Sequence, residues 1–191
     1  EPRGLRSFDA DLPVMDSAIA TITENGAIYR GVNRVDLAEA DTLEHAATLL
    51  WDVTGVDPFE QDNCPVVSDE MRAVADATRH ANAIDRAIAV LALAASADPR
   101  AYTRAPEGRA LLGGRIMRLV VATMLNAKSS AKPLHLQVAR GWAPDNKHAA
   151  DLLRRALVLL ADHELNASTF TVRCAASTGL NLYDAIIAGL V

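Results

Sequence analysis

The apolar run Leu152–Leu160 gives way abruptly to Asp162, His163 and Glu164, with Asn166, Ser168 and Thr169 close behind. Ionisable and polar groups therefore crowd the point where one helical pattern ends and the next begins. A histidine at a helix C-terminus is favoured in its charged form by the helix dipole, which suits it to a carboxylate. Ser168 and Thr169, opening the next helix, sit beside backbone N–H groups that can also receive an anion. The same residues allow a purely structural reading. Asp162 or Asn166 then caps a turn, and His163 bonds a backbone carbonyl. Spacing leaves both readings open.

Other candidate groups are more dispersed. Arg109, Arg115 and Arg118 lie along one helix, where they can meet coenzyme phosphates or form an ordinary solvated face; the second is expected. Arg154-Arg155 is likewise expected to face solvent. His45, His80, His135 and His148 stand alone, and none pairs with His, Cys or a carboxylate at metal-ligand spacing, so no metal is expected. Gly113-Gly114 lacks the preceding strand and following Lys-Ser/Thr of a phosphate loop, and is expected to permit a bend or a close helix contact. Cys64 and Cys174 form no CxxC pair. Cys174, in an apolar run, reads as a buried free thiol.

These groups must be positioned mainly by helices. Half of the residues are hydrophobic but only 4% are aromatic, which favours helices packed through small aliphatic side chains. Ile19, Ile22 and Ile28 flank Glu24-Asn25-Gly26, predicting a small hairpin, with a brief helix near Arg34–Ala38. Thr42 is a natural N-cap for a helix through Trp51, which Gly55 and Pro58 close. Asp57–Val67 is a loop, and Ser68 opens a helix to about His80. Ile84–Ala97, apolar almost all round, is predicted to be buried. Leu111–Ala127 is predicted as an amphipathic helix, and Lys147–Ala161 as another, with Leu91, Ile116 and Leu157 buried. Short helices are expected over Leu134–Arg140, Ser168–Ser177 and Leu182–Leu190. The reading is all-α with a minor β element at the front.

Charge and hydropathy set outer limits. The net charge is −5, so no nucleic-acid partner is expected, since phosphate backbones need a basic surface. No apolar stretch approaches the roughly 20 residues of a membrane span, and Glu1–Pro13 lacks the features of a signal peptide. A cytoplasmic protein is the expectation. The first residue is not methionine, and the last helical pattern runs to Val191 without a polar close, so a partial chain is expected.

Ala161-Asp162-His163-Glu164-Leu165-Asn166-Ala167-Ser168-Thr169-Phe170, followed by Arg173 and Ser177-Thr178, resembles the citrate synthase family signature. The front of the chain does so too, in Ile28-Tyr29-Arg30-Gly31, Asp36-Leu37-Ala38, Thr42-Leu43-Glu44 and Leu49-Leu50-Trp51, as does Tyr183–Gly189 near the end. The likeness runs in order from about Leu12 to the last residue and is nearest to a bacterial citrate synthase-like group. Asp57–Pro65 departs from the short loop usual in the family.

The resemblance implies a citrate synthase-like multi-helical large domain, with residues 1–191 forming part of it and the small domain absent. It implies condensation of acetyl-CoA with oxaloacetate, acetyl-CoA serving as substrate and no cofactor being needed. His163 matches the histidine that helps hold oxaloacetate. Arg30, Glu164 and Ser168 match positions near the substrate cleft or its supporting turns. The family's second histidine, its aspartate base, its third histidine and its oxaloacetate arginines find no match here, and enolising a thioester needs both a placed base and an electrophile. The catalytic residues are thus unknown from this chain. A helical homodimer is implied. Two further readings are a non-catalytic regulator or metabolite sensor of the same family, and a 2-methylcitrate synthase using propionyl-CoA; a plain helical interaction domain is a third.

Overall fold

The computed structural model describes residues 18–24, 26–162 and 166–191. Strands β1 (Ala20–Thr23), β2 (Gly26–Tyr29) and β3 (Val32–Asn33) form an antiparallel sheet in that order. The β1–β2 register pairs Thr23 with Gly26 and Ala20 with Tyr29. The expected hairpin is present, extended by a third short strand. Arg30 and Gly31 join β2 to β3 with φ of 42° and 86°, the left-handed pair that a two-residue primed turn requires. Alternation along β2 buries Ala27 and Tyr29.

Helices follow, most opened by a local cap. Asn33 caps α1 (Arg34–Ala40), Thr42 caps α2 (Leu43–Trp51), Ser68 caps α3 (Asp69–Ala77) and Asn82 caps α4 (Ala83–Ala97), each side chain accepting a first-turn N–H. Pro106 begins α5 (Pro106–Met124), five residues before the predicted start, because proline at the first position forfeits only an N–H with no helical acceptor. Then come α6 (Leu134–Trp142), α7 (Ala149–Leu159), α8 (Ala167–Ser177) and α9 (Leu182–Leu190). No helix among the described residues is long and apolar enough to cross a membrane.

Two cores result. In one, Met71 of α3, Val90 and Leu91 of α4, Leu112, Ile116 and Leu119 of α5 and Tyr183 of α9 interlock. In the other, Ala27 and Tyr29 of β2, Leu37 of α1, Ala46 and Leu50 of α2 and Val158 of α7 close together. The glycine pair of α5 lies between them, and it serves close contact. A Cβ on Gly113 would come within 2.9 Å of the Trp51 ring, and one on Gly114 would collide with the Pro58 carbonyl oxygen.

That contact seats the Asp57–Val67 loop. The buried Asn63 side chain donates to Pro58 O at 2.7 Å and Leu111 O at 2.8 Å. Arg118, only 2% exposed, donates to Glu60 O at 2.8 Å and to Phe59 O, and its guanidinium lies over the Phe59 ring. Arg115 donates to Cys64 O at 3.2 Å. The solvated-face expectation therefore holds for Arg109, which is exposed, and fails for Arg118. Loop carbonyls desolvated against α5 need donors, and a long guanidinium supplies several.

Other expectations need correction. Arg154 does not face solvent: it turns inward and donates to Ala38 O and Asp41 O at 2.9 and 2.7 Å and to Glu39 O at 3.1 Å. Helix α7 buries Ala149 and Val158 rather than Leu157, because it turns Val158 onto the sheet and leaves Leu157 half-buried. Helix α4 buries one stripe, Ala87, Val90, Leu91 and Ala94, while Ile84 is 49% exposed. Cys174 is half-buried, as is Cys64, and both are free thiols.

Candidate functional site

The polar turn singled out above begins where α7 ends. Beyond Leu159 the chain has no basic residue in its own last turn to meet the helix carbonyls, and two residues from the front of the molecule do so instead. Tyr29, wholly buried in β2, places its hydroxyl 3.1 Å from Leu159 O and 3.3 Å from Asp162 O, and accepts from the Asp162 N–H at 3.4 Å. Arg34, in the first turn of α1, donates to the same Leu159 O at 3.4 Å. The entry to the turn is thus fixed by a stiff phenol standing on a strand.

The exit is fixed locally. Asn166 is the N-cap of α8, and its side chain accepts from the Thr169 N–H at 2.6 Å. This cap takes up the Thr169 donor, leaving Ala167 and Ser168 to present the first-turn N–H groups that a helix cannot itself satisfy. Ser168 is exposed in that turn. Both sequence readings of Asn166 and Ser168 coexist here: a capping asparagine and an accessible helix start. His163 and Glu164 lie outside the described residues.

Arg30 sits in the left-handed turn between β2 and β3, and its side chain runs to the end of α2. Nε donates to Leu50 O at 2.9 Å, and Nη1 lies 3.3 Å from Asp52 Oδ2. Asp52 itself is left-handed, with φ 53°, and is exposed. Arg30 therefore ties the sheet to α2, and its side chain stays about a quarter exposed, at 27%. Among the described residues nothing brings Arg30 and Ser168 into hydrogen-bond contact.

Among the described residues, the remaining titratable groups form no catalytic cluster beside the end of α7 or the start of α8. His45 does find a carboxylate, Asp41, one helical turn back at 2.5 Å, contrary to its expected isolation, because α2 follows α1 with only two residues between them. His80 accepts from Arg79 at 3.1 Å. His135 is buried on α6, and desolvation lowers its pKa, with the Glu44 carboxylate pulling the other way. Among the described residues no group of three potential ligands is arranged to hold a metal.

In the sequence Tyr29 stands only within the Ile28-Tyr29-Arg30-Gly31 motif, with no role assigned at the turn. The available signal was a tyrosine on the inward side of an alternating strand, since a buried phenol requires an acceptor.

A family model described as citrate synthase, C-terminal domain, matches residues 6–191. The chain belongs to the citrate synthase family. Citrate synthase 2 of Bacillus subtilis (strain 168) is 25% identical over 199 aligned residues, covering 91% of this chain and 53% of that protein. The fold matches that of the citrate synthase from Pyrobaculum aerophilum with a TM-score of 0.76 and 17% identity, over 94% of this chain and 53% of that one. A structure of citrate synthase from the thermophilic archaeon Thermoplasma acidophilum, in ternary complex with carboxymethyl coenzyme A and oxaloacetate, matches with a TM-score of 0.71 and 20% identity, at the same coverages. The chain therefore spans about half the length of the citrate synthases it matches. Its all-α architecture with a small β element is the family's fold.

Proposed function

We propose that the protein works in a citrate synthase-type acyl transfer, in which the methyl carbon of acetyl-CoA loses a proton and adds to the keto carbon of oxaloacetate. Water then cleaves the thioester to give citrate and free CoA. Within that reaction the part assigned to this chain is oxo-acid binding at the α7–α8 turn, with His163 as the cationic hydrogen-bond donor. Ser168, at the accessible start of α8, and Arg30 are the supporting substrate-binding residues. The supporting observation is the family match across residues 6–191, which includes the turn. We read the chain as the front part of the domain that this family model describes. Neither a metal nor a resident cofactor is required, since acetyl-CoA enters as substrate.

The protein is proposed to act in the cytoplasm as a homodimer. The apolar stripe of α5 is already covered within the chain, by α4 and α9. Leu152 and Leu160 on α7 are 61% and 70% exposed, which supports α7 as the helix that a second copy covers. Light scattering at micromolar concentration should give twice the monomer mass, and a monomer would overturn the dimer.

The oxo-acid reading is tested by calorimetric titration with oxaloacetate, beside a thermal melt, on the protein at the full length of its reading frame. His163→Ala should weaken binding by about ten- to a hundred-fold, the loss of one charge-assisted hydrogen bond, with the melting temperature nearly unchanged. Unchanged affinity with a lowered melting temperature would make His163 a structural residue and overturn the proposal.

A further inference from the structure

We propose that the cleft between the Asp57–Val67 loop and the link from α5 to α6 binds a small phosphate monoester. The cleft has a volume of about 430 Å³, in the range of small-ligand pockets and more than a bare ion needs. Arg72 of α3, Lys128 and Ser129 line it, and no carboxylate does among the described residues. In a chain of net charge −5, two cations without a lining acid reverse the local field and favour an anion.

The Ser129 Oγ is buried and has no hydrogen-bond partner among the described residues. A hydroxyl taken from water without a partner costs folding free energy, and a phosphate oxygen in the cleft supplies the missing acceptor. Arg72 is held against the wall. Its Nη1 donates to Val67 O at 2.5 Å and its Nη2 to the solvent-facing Asp69 carboxylate, which leaves further donors of the guanidinium fork for a ligand. Lys128 is exposed and adds an ammonium on a flexible stem. The carbonyls at the negative end of α5 are met from within the chain: Arg86 donates to Met124 O at 3.2 Å, and the Asn126 and Ala127 N–H groups close on Thr123 O and Ala122 O.

The donor set selects phosphate over carboxylate. A phosphate group offers three acceptor oxygens to a guanidinium, an ammonium and a hydroxyl, where a carboxylate offers two. The rest of the lining selects a monoester over the free ion. Pro65, Val66 and Val67 form an aliphatic wall of the same cleft, and Val66 is 80% exposed. An organic group carried on the phosphate covers that wall, which the inorganic ion leaves in water.

Calorimetric titrations at constant ionic strength, with inorganic phosphate and with phenyl phosphate, test this on the protein at the full length of its reading frame, beside thermal melts without ligand. Phenyl phosphate should bind about ten-fold more tightly than inorganic phosphate, the worth of about two buried methylene groups. Ser129→Ala should weaken phenyl phosphate binding about ten-fold. Its ligand-free melting temperature should match or exceed that of wild type, because no bond within the fold is lost. Lys128→Glu should abolish binding. Lys147→Glu, the same charge change at an exposed lysine before α7, should leave affinity within about two-fold, since exposed charges far apart are screened. Equal affinity for the two probes would overturn the monoester. Unchanged affinity in either Ser129→Ala or Lys128→Glu, or equal losses in Lys128→Glu and Lys147→Glu, would overturn the cleft as the site. A lower ligand-free melting temperature in Ser129→Ala would show the hydroxyl already bonded within the fold and overturn its role as the waiting donor.

Discussion

Leu91 and Tyr29 are almost equally inaccessible, at 1% and 0% exposure, yet their surroundings have little in common. Around Leu91, helices α3, α4, α5 and α9 meet through Met, Val, Leu, Ile and Ala. Directed bonds between these elements lie at the margins, as from Arg86 to Met124 O and from the Tyr183 hydroxyl to Asp98, and the contact at the centre is apolar. Around Tyr29, a short sheet and three helices are joined by side chains that reach across to backbone carbonyls: Tyr29 and Arg34 to Leu159, Arg30 to Leu50, Arg154 to Ala38, Glu39 and Asp41. None of α1, α2 and α7 has a basic residue in its own last turn. An arginine or tyrosine from elsewhere supplies the missing donors, so closure of this region depends on directed bonds as well as on volume. The end of α7, where the candidate turn begins, is held by the second kind of core.

The largest effect expected from this contrast lies in the aliphatic core. Leu91→Ala removes a fully packed side chain from a rigid helical interface and should cost about 2–5 kcal/mol in chemical denaturation. Oxo-acid affinity should be unchanged in the fraction that remains folded. A cost below about 1 kcal/mol would show that this core repacks freely, and the distinction between the two regions would fail.

Arg154→Met should come next, at about 2–3 kcal/mol, because it keeps the apolar stem and removes charged donors from three carbonyls at the end of α1. Arg155→Met is the comparison. Its side chain is 46% exposed and its ion-pair partner Asp151 is solvent-facing, so it should change stability hardly at all. If the two variants behaved alike, Arg154 would be the surface residue that sequence reading made it.

How much was legible follows the same divide. Helix starts were readable at Thr42 and Ser68 because an N-cap bonds within three residues of itself. The left-handed link at Gly31 and the crowded glycines of α5 also announce themselves by residue type. Helix ends were readable too, at Trp51 and Ala97, but the groups that satisfy the end carbonyls were not, because those donors arrive from far along the chain: Arg34 and Leu159 are 125 residues apart, Arg154 and Ala38 are 116 apart, and Arg86 reaches Met124 O across 38. A pattern that marks an arginine as off the apolar stripe cannot say whether it meets water or another helix's carbonyl. At the site, the polar turn stood out by composition, and Asn166 was already one of two possible caps. The link from Tyr29 to Asp162, 133 residues away, had no local trace beyond a buried phenol needing an acceptor.

The smallest expected effect concerns the polar side of the tethered region, where α2, α6 and α7 meet. His135 is 8% exposed, and its Nδ1 has no hydrogen-bond partner among the described residues. Glu44 faces it from α2, with one carboxylate oxygen accepting the Leu134 N–H at 2.6 Å and the other buried with no hydrogen-bond partner among the described residues; Arg154 and Asp151 face it from α7. Burial is the largest influence and disfavours the imidazolium; Glu44 opposes it, and Arg154 adds to the burial effect. The folded-state pKa therefore lies below the ordinary histidine value of 6.5. Below 6.5 the unfolded chain takes up this proton before the folded one does, so the contribution is fully present above 6.5 and is lost as pH falls through the folded value. Because Glu44 offsets part of the burial cost, the loss should be the smallest of the three effects. Denaturant midpoints for wild type and His135→Leu, measured from roughly pH 7.5 down to about 5, bracket the ordinary histidine range. Wild type should fall more steeply than the variant as the solution turns acidic, and the two slopes should agree above neutrality. Parallel curves across the whole range would mean that Glu44 fully compensates the burial of His135, and that this junction resembles the aliphatic core more than the tethered one.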